Sequence, residues 1–424
     1  MKIDKPQHET YCATVVSIKT INHLLNCDNV VSVPIFGFQA IVGKDTQIGD
    51  IGLFFPAETQ LSEEYCYFNN LYRHGDRNED KSAKGYLEDN RRVKAIKFRG
   101  NQSNSLFMPL ESLDWTGIKV SDLQVGDELD ILNGKDICKK YVRKVKANVG
   151  NKQPQAKKFN RVDPEFMPEH FKIDQYYKFV EGLDLEAEII VSQKLHGTSI
   201  RIANTKVKRE LNFIEKALIK LGVKIRTTEY DMVYGSRKVV KDVNNPNQNH
   251  FYGSDLWSAE GKKLDGLVPE NYILYAEIIG YTEDGAPIQK DYTYGYDDKT
   301  CGLFVYRVAI INNIGLSQDM SWDHMVEFCK NIGVSVVPEV WRGKLKDFEV
   351  EDYLDKRLFD EGHRACLALG QPDVVDEGVV IRVDRLLPYC LKAKGSMFLE
   401  HETKLIDNEV DDIEADQDAL ELDL

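Results

Sequence analysis

The sequence lacks the features of membrane-spanning proteins, secreted proteins and proteins with paired cysteine motifs. No apolar run approaches the roughly 20 residues that a membrane-spanning helix needs. The first eleven residues, MKIDKPQHETY, contain no apolar stretch of the kind found in secretory signals. The eight cysteines form no CxxC pair, which argues against zinc and thioredoxin-like sites. We therefore expect a cytoplasmic protein with reduced thiols and no membrane partner.

Basic residues are outnumbered, with 55 Lys and Arg against 69 Asp and Glu, and the net charge is −14. This balance at first argues against a nucleic-acid partner. Residues 405–424, however, contain nine acidic residues and no basic one, and we interpret them as a solvated acidic tail. Because the field at a site depends on the charges near it, this tail does not exclude an anionic partner elsewhere on the protein.

The 424 residues predict two domains of different composition. Residues 1–140 contain short apolar segments separated by turn signals, which is typical of a small β-barrel or sandwich. Residues 141–163 are predicted to be a flexible basic linker, since nine Lys and Arg and no acidic residue lie between positions 139 and 162. Residues 164–404 mix strands and helices, which predicts an α+β domain built on antiparallel sheets.

Apolar periodicity predicts the individual elements. The predicted strands are Tyr11–Thr20, Val30–Val42, Ile51–Pro56, Arg92–Arg99, Ser105–Pro109, Glu128–Leu132, Ala187–Val191, Tyr272–Ile279, Leu303–Ile311 and Gly378–Val383. The predicted helices are Trp322–Asn331 and Arg209–Leu221, the latter with an apolar stripe of Leu211, Ile214, Leu218 and Leu221.

A lysine after an apolar strand is the first candidate for chemistry. Lys194 lies three positions before Gly197, and such a KxxG pattern alone is most often a solvated lysine at a strand end. Further segments follow it in a meaningful order: Tyr234–Lys238, Tyr275–Gly280, Phe304–Arg307, Asp376–Arg382 and Leu391–Lys394. From Glu186 to Lys394 the chain resembles the covalent nucleotidyltransferase superfamily, which comprises polynucleotide ligases and mRNA capping enzymes, through these collinear motifs.

The resemblance implies that Lys194 is the nucleophile that carries AMP. An amine attacks only when deprotonated, so neighbouring cations or partial burial must lower its pKa. Lys392 and Lys394 alternate with apolar residues, so on a strand both face one side and supply such cations. They would also neutralise the α-phosphate in the transition state. Taken alone, the Lys-x-Lys pattern would instead indicate a solvated strand face.

The resemblance also implies the nucleotide contacts. Glu277 would contact the ribose and Glu377 a divalent metal, with Glu277 as a second metal candidate; the alternative for each is a salt bridge to an arginine such as Arg237 or Arg382. Arg237 would hold phosphate. Either Phe304 or Tyr306 would stack on adenine, and simple alternation places both on the same side of the strand, so the choice stays open.

Two features indicate the RNA ligase branch. His196 stands where DNA ligases often have Asp, and it resembles the motif of phage-type RNA ligases that seal nicks in duplexes; with no second ligand at metal spacing, we do not expect it to bind metal. Most DNA ligases and capping enzymes have an OB domain after the last of these motifs, but only 30 residues follow Lys394 here, too few for one. With the β-rich residues 1–140 as the only candidate, the chain resembles the RNA ligase branch that has an N-terminal OB module, which implies an OB-like, nucleic-acid-binding role for them.

The N-terminal module contains a basic strand that is a candidate for phosphate contacts, with Arg92, Lys94, Lys97 and Arg99. The resulting hypothesis is a monomeric ATP-dependent RNA ligase that uses Mg²⁺ or Mn²⁺. It would seal 3′-OH and 5′-phosphate ends of RNA, or of RNA-containing nicked duplexes, through lysyl-AMP and AppRNA. The alternatives are a DNA ligase, a GTP-using capping enzyme and a non-catalytic nucleic-acid-binding protein.

Overall fold

The computed structural model describes residues 5–7, 9–142, 161–244, 252, 254–356 and 376–408. Most of the predicted linker, at 143–160, and most of the acidic tail, at 409–424, lie outside the described residues. Among the described residues, none of the helices combines the length and the apolar character needed to cross a bilayer.

The N-terminal module is β-rich, as predicted, and its main sheet has seven strands in the order β10-β1-β5-β9-β4-β3-β2. Its only α-helix among the described residues is α1, Glu63–Phe68. Its strands are β1 Ala13–Ser17, β2 Asn22–His23, β3 Val30–Ile35, β4 Phe38–Gly43, β5 Ile51–Pro56, β6 Thr59–Leu61, β7 Ile96–Phe98, β8 Asn101–Ser103, β9 Ser105–Pro109, β10 Glu128–Leu129, β11 Ile131–Leu132, β12 Lys135–Asp136 and β13 Cys138–Lys140.

The predicted barrel does not close. Within the described residues, β10 and β2 are the two edges of the seven-stranded sheet, and β6 pairs with β13 in a separate two-stranded sheet. Apolar clusters cover both faces of the main sheet: one contains Val15, Leu53 and Phe55, and the other contains Val16 and Phe54. The alternation of side chains along β1 and β5 therefore fills two cores without requiring closure.

The long strand predicted at Val30–Val42 is a hairpin of β3 and β4. Ile35 pairs with Phe38, so Phe36 and Gly37 form a two-residue turn, and both have positive φ, 51° and 76°. Such a turn matches the twist of the strands it joins. A side chain at Gly37 would collide with the ring of Tyr177 from the second domain, so this glycine also permits a close contact between the two domains.

The second domain contains two mainly antiparallel sheets, which confirms the predicted α+β class. One has the order β14-β24-β23-β15-β22; the other follows β17-β16-β18-β19-β20, with β21 paired to β19. Its strands are β14 Asp174–Gln175, β15 Glu188–Lys194, β16 Thr198–Lys208, β17 Thr228–Gly235, β18 Tyr272–Gly280, β19 Cys301–Ile311, β20 Ser317–Asp319, β21 Ser335–Val336, β22 Glu339–Lys344, β23 Gly378–Val383 and β24 Tyr389–Lys394.

The described helices of this domain are α2 Tyr176–Phe179, α3 Phe213–Lys220, α4 Leu256–Lys262, α5 Trp322–Ile332 and α6 Ser396–Asp407. Helix α5 lies where it was predicted, because Ser321 caps its start and Gly333, at φ 74°, ends it. Helix α6 begins directly after β24 and continues past the boundary predicted at residue 404, so residues 405–407 belong to the helix and not to the tail.

Helix α3 is shorter than predicted, and its apolar residues do not face a core. Its sequence satisfies a capping box between Asn212 and Glu215, which explains why it begins at Phe213. Phe213 is 86% exposed and Leu221, just past the helix, is 80% exposed. The predicted apolar stripe is therefore largely exposed in the structure, with Ile214 at 67%.

Candidate active site

Lys194 is the last residue of β15, a strand hydrogen-bonded on both sides by β22 and β23. Its register partner is Gly378, which places the preceding residue, Glu377, next to the lysine. Gly378 has φ 149°, and a side chain there would collide with the carbonyl of Ala393 on β24. The glycine after Glu377 thus lets β23 and β24 approach closely enough to bring Lys194 and Lys394 to the same carboxylate.

Glu377 is the centre of this ion-pair cluster. Its Oε2 lies 2.7 Å from Lys194 Nζ and its Oε1 lies 3.3 Å from Lys394 Nζ, while His196 Nδ1 is 3.6 Å from Oε2. Burial by itself would raise the pKa of Glu377, but the charges of Lys194 and Lys394 hold it well below its usual range. The carboxylate is therefore ionised, although it is 2% exposed.

Lys392 is the lysine with the strongly perturbed ionisation. Burial, together with the charges of Lys394 and Lys194, lowers its pKa from the ordinary value of 10.5 to about 7. Lys392 and Lys394 are two residues apart on β24 and both line the cavity, as the alternation predicted. A cavity wall with several lysines around one carboxylate is suited to an anionic ligand.

Glu277 holds the turn that follows Lys194. Its Oε1 accepts a hydrogen bond from the Gly197 N–H at 3.0 Å, and its Oε2 accepts one from the Ser199 hydroxyl at 3.3 Å. A side chain at Gly197 would collide with the carbonyl of Ile278 on β18, so only glycine fits this close approach. In this structure Glu277 orients the loop between β15 and β16, and it also lines the cavity.

His196 is wedged between aromatic rings. Its imidazole makes edge-to-face contacts with Tyr292 at 4.6 Å and Phe398 at 5.3 Å. Its backbone N–H donates to the hydroxyl of Tyr294 at 2.8 Å. Held this way, the ring faces Glu377 and is a positioning group for that carboxylate. No group of three or more potential metal ligands occurs among the described residues, so the predicted metal roles of Glu377 and Glu277 stay predictions.

The two candidate stacking aromatics have different surroundings, next to a β-bulge in β19. Arg307 pairs with Tyr275 and Val305 with Ala276, so the register with β18 passes over Tyr306. Phe304 belongs to the main hydrophobic core of the domain, while Tyr306 lines the cavity. Of the two candidates, Tyr306 is therefore the one on the cavity wall.

The cavity has a volume of about 620 Å³ and is lined by both domains. Besides the residues above, Arg237 lies on its wall and is exposed, and its charge contributes to the lowered pKa of Lys392. The N-terminal module contributes Lys5, Tyr11, Phe36, Gly37, Phe38, Glu58 and Lys140, among others. Helix α6 contributes Glu402, whose Oε1 lies 3.7 Å from Lys394 Nζ and which the motif comparison did not identify.

The basic segment proposed for phosphate contacts is divided in two by the structure. Arg92 is buried: its guanidinium donates to both oxygens of Glu58, at 2.5 and 2.6 Å, and to Asp407 of α6 at 2.9 Å. Lys94 pairs with Glu88 at 2.8 Å and with Asp407 at 3.0 Å. Their assignment to phosphates is therefore corrected, since these ion pairs connect the N-terminal module to α6.

The other two basic residues of the segment stay candidates. Lys97 is 55% exposed, with Glu400 at 3.6 Å, and Arg99 is exposed with one bond to the carbonyl of Asn26. The strand itself is only Ile96–Phe98, shorter than the predicted Arg92–Arg99.

A lysine at a strand end, a buried carboxylate paired to it and two further lysines on the same cavity form the arrangement expected of a covalent nucleotidyltransferase. Comparison with known proteins agrees. Residues 187–394 match the family described as RNA ligase. This match confirms the resemblance inferred from the motifs.

Three solved structures of Naegleria gruberi RNA ligase share the fold over nearly the whole chain. The form with PPi is 14% identical, with a TM-score of 0.60, over 92% of this chain and 98% of that one. A mutant with AMP and Mn gives 15% identity and a TM-score of 0.59 over the same shares. Another mutant, with ATP and Mn, gives 13% and 0.58 over 93% and 98%. Curated protein sequences contain no match.

Proposed function

We propose that this protein is an ATP-dependent RNA ligase that joins 3′-OH and 5′-phosphate ends, with nicks in RNA-containing duplexes as its substrate. The observation that carries the proposal is the contact of Lys194 with Glu377, which Lys394 shares on the wall of a nucleotide-sized cavity. The RNA ligase family match over residues 187–394 supports the reaction class. The N. gruberi RNA ligase structures with ATP or AMP and Mn support the choice of nucleotide and metal.

In the first step, deprotonated Lys194 Nζ attacks the α-phosphorus of ATP. A nitrogen–phosphorus bond forms, the bond from the α-phosphorus to the bridging oxygen breaks, and pyrophosphate leaves. The ion pair between Lys194 and Glu377 must open for this attack. Lys392, with a pKa of about 7, gains a proton more readily once a phosphate is beside it, so it becomes a cation where negative charge develops.

The next two steps use the adduct. An oxygen of the 5′-phosphate attacks the lysyl-AMP phosphorus, the nitrogen–phosphorus bond breaks, and AppRNA forms with Lys194 regenerated as an amine. The 3′-hydroxyl then loses its proton and attacks the 5′-phosphorus, which forms the phosphodiester and releases AMP. Lys394 and Lys392 are the cavity cations in position to offset charge at these phosphates.

A bound Mg²⁺ or Mn²⁺ would offset phosphate charge in these steps. Glu377 fits the role of metal ligand, because its ionised carboxylate faces the cavity and hard cations prefer such oxygens. Glu277 fits less well, because both of its oxygens hold the turn after Lys194, whereas the ion pair of Glu377 with Lys194 opens during the reaction. We assign Glu277 to holding that turn and contacting the ribose, Arg237 to phosphate, and Tyr306 to stacking on the base.

RNA would reach the N-terminal module through Lys97 and Arg99, the exposed members of the basic segment. Their contribution would be independent of sequence and sensitive to salt, as phosphate contacts are. A monomeric, cytoplasmic enzyme remains the prediction.

The direct test is sealing of a 5′-³²P-labelled nick in duplexes with RNA or DNA on each side of the break. We expect sealing with ATP when RNA carries the 3′-OH, loss of sealing in Lys194→Ala, and normal sealing in Lys220→Ala, a control that removes an exposed lysine of α3. Equal sealing of all-DNA nicks would favour a DNA ligase. Use of GTP alone would favour a capping enzyme, and no sealing with retained binding would favour a non-catalytic RNA-binding protein.

A further inference from the structure

Three aromatic side chains at the cavity surround a histidine, His170, that the ligation steps do not use. The His170 ring lies 4.5 Å from the Phe171 ring, 5.1 Å from Tyr306 in an edge-to-face contact and 5.6 Å from Tyr275. His170, Phe171 and Tyr306 all line the cavity. Both ring nitrogens of His170 are buried and have no hydrogen-bond partner in the protein. Buried nitrogens of this kind are rare unless another molecule satisfies them.

Arg307 presents a second unsatisfied group at the same place. Its Nε and Nη2 bond to Asp319 at 2.9 and 2.7 Å, and its guanidinium lies over the rings of Phe171 and Tyr275 at 4.4 and 4.3 Å. Its Nη1 is buried without a hydrogen-bond partner, and Arg307 also lines the cavity. A guanidinium can only donate, so a ligand here must offer an acceptor.

His170 differs from the lysines around Glu377 in its charge. Burial, followed by the charges of Arg307 and Arg237, lowers the pKa of His170 well below its ordinary value. The imidazole is therefore neutral at physiological pH and offers one donor and one acceptor. A neutral ring among aromatic side chains suits the uncharged polar edge of a base, whereas the lysines around Glu377 suit phosphates.

We propose that His170, together with the Nη1–H of Arg307, hydrogen-bonds the edge of the purine base and helps determine which nucleotide the cavity accepts. Adenine presents an amino donor beside a ring-nitrogen acceptor. The imidazole nitrogen accepts from the amino group, and Arg307 donates to the ring nitrogen, while Tyr306 covers a face of the base. This assignment rests on the proposed function, since it takes a purine nucleoside triphosphate as the ligand.

Binding, rather than ligation, tests the base contact. Dissociation constants are measured by calorimetry in the Lys194→Ala background for ATP, purine riboside 5′-triphosphate, which lacks the 6-amino group, and 7-deaza-ATP. His170→Phe keeps a ring for packing but removes both nitrogens. We expect it to weaken ATP binding by about 5- to 100-fold, as for the loss of one buried hydrogen bond. His170→Asn should recover part of that loss, and His23→Phe, at an exposed histidine, should change nothing.

The decisive comparison is between nucleotides. If His170 accepts from the 6-amino group, purine riboside 5′-triphosphate will bind the His170→Phe protein as well as ATP does, while the Lys194→Ala parent prefers ATP. Equal losses for ATP and both analogues would overturn the assignment, as would no loss at all or no ATP binding by the Lys194→Ala parent. If His170→Phe does not fold, His170→Asn is judged by the same comparison. Base discrimination without any labelling of the wild-type protein by ATP would instead refute the ligase and leave the base contact standing.

Discussion

Replacing Arg92 tests whether this residue connects the N-terminal module to α6 or binds RNA. The guanidinium donates two bonds to Glu58, one to Asp407 and one to the carbonyl of Thr403, and the Thr403 hydroxyl donates to Glu58 at 2.7 Å. Arg92→Met preserves most of the side-chain volume but removes all of the guanidinium donors. Because Glu58 is 4% exposed, its carboxylate would lose its main counter-charge inside the protein.

Breaking one partner of a buried ion pair costs about 3–5 kcal/mol. We expect the free energy of unfolding to fall by about that amount in Arg92→Met. Burial already raises the pKa of Glu58, with Arg92 opposing that shift. Without Arg92 the pKa rises further, so the folded protein binds a proton that the unfolded chain does not, and the loss of stability shrinks as pH falls toward 5.

Urea unfolding followed by circular dichroism measures this change, and RNA binding across a salt series measures the alternative. Lys97→Met is the matched control, since Lys97 is exposed and its Nζ lies 3.6 Å from Glu400, a longer separation than any in the Arg92 ion pairs. A stable Arg92→Met protein with weakened, less salt-dependent RNA binding would refute the structural role. We expect instead that Arg92→Met is destabilised and binds RNA with unchanged salt dependence. Only Lys97→Met should change the salt dependence.

Three further changes act on the active site. The pKa of Lys392 is about 7 in the folded protein, against an ordinary value of 10.5. Between these pH values the unfolded chain binds more protons, so the stability of the folded protein rises with pH. Thermal melts of Lys392→Met should lack that rise. Glu377→Gln should lower the pKa of Lys392 further, seen by NMR titration, and slow adenylylation about a hundredfold or more. Gly197→Ala should force the turn away from Glu277 and reduce labelling of Lys194, while Gly182→Ala, with open space around it, should leave labelling unchanged.

The residues of the active-site cluster were predictable, because the motifs that contain them lie on strands that are neighbours in one sheet. Lys194, Glu377 and Lys394 lie on or next to β15, β23 and β24, which pair side by side, so three distant segments meet at one carboxylate. The α+β class followed equally from local apolar patterns. Local patterns report which face of a strand is apolar, and that was sufficient for Ile51–Pro56 and Ser105–Pro109, whose predicted bounds match the structure.

What could not be predicted depends on contacts between distant residues or on local irregularities. Arg92 resembled a surface cation because nothing in its neighbourhood reveals that Asp407, 315 positions later, returns to it. The bulge next to Tyr306 in β19 has no obvious signal such as glycine. The Phe36-Gly37 turn had such a signal in Gly37, in the middle of an apolar run, and a closer reading of that glycine would have divided the strand.

Covalent labelling shows directly whether Lys194 carries AMP. Wild-type protein, stripped of any bound AMP by pyrophosphate, is incubated with [α-³²P]ATP or [α-³²P]GTP and Mg²⁺ or Mn²⁺, then run on a denaturing gel and mapped by peptide mass spectrometry. A lysyl-AMP enzyme should take up label from ATP, located on Lys194 and absent from Lys194→Ala. Label from GTP alone, label on another residue, or no label with either nucleotide and either metal would contradict this assignment.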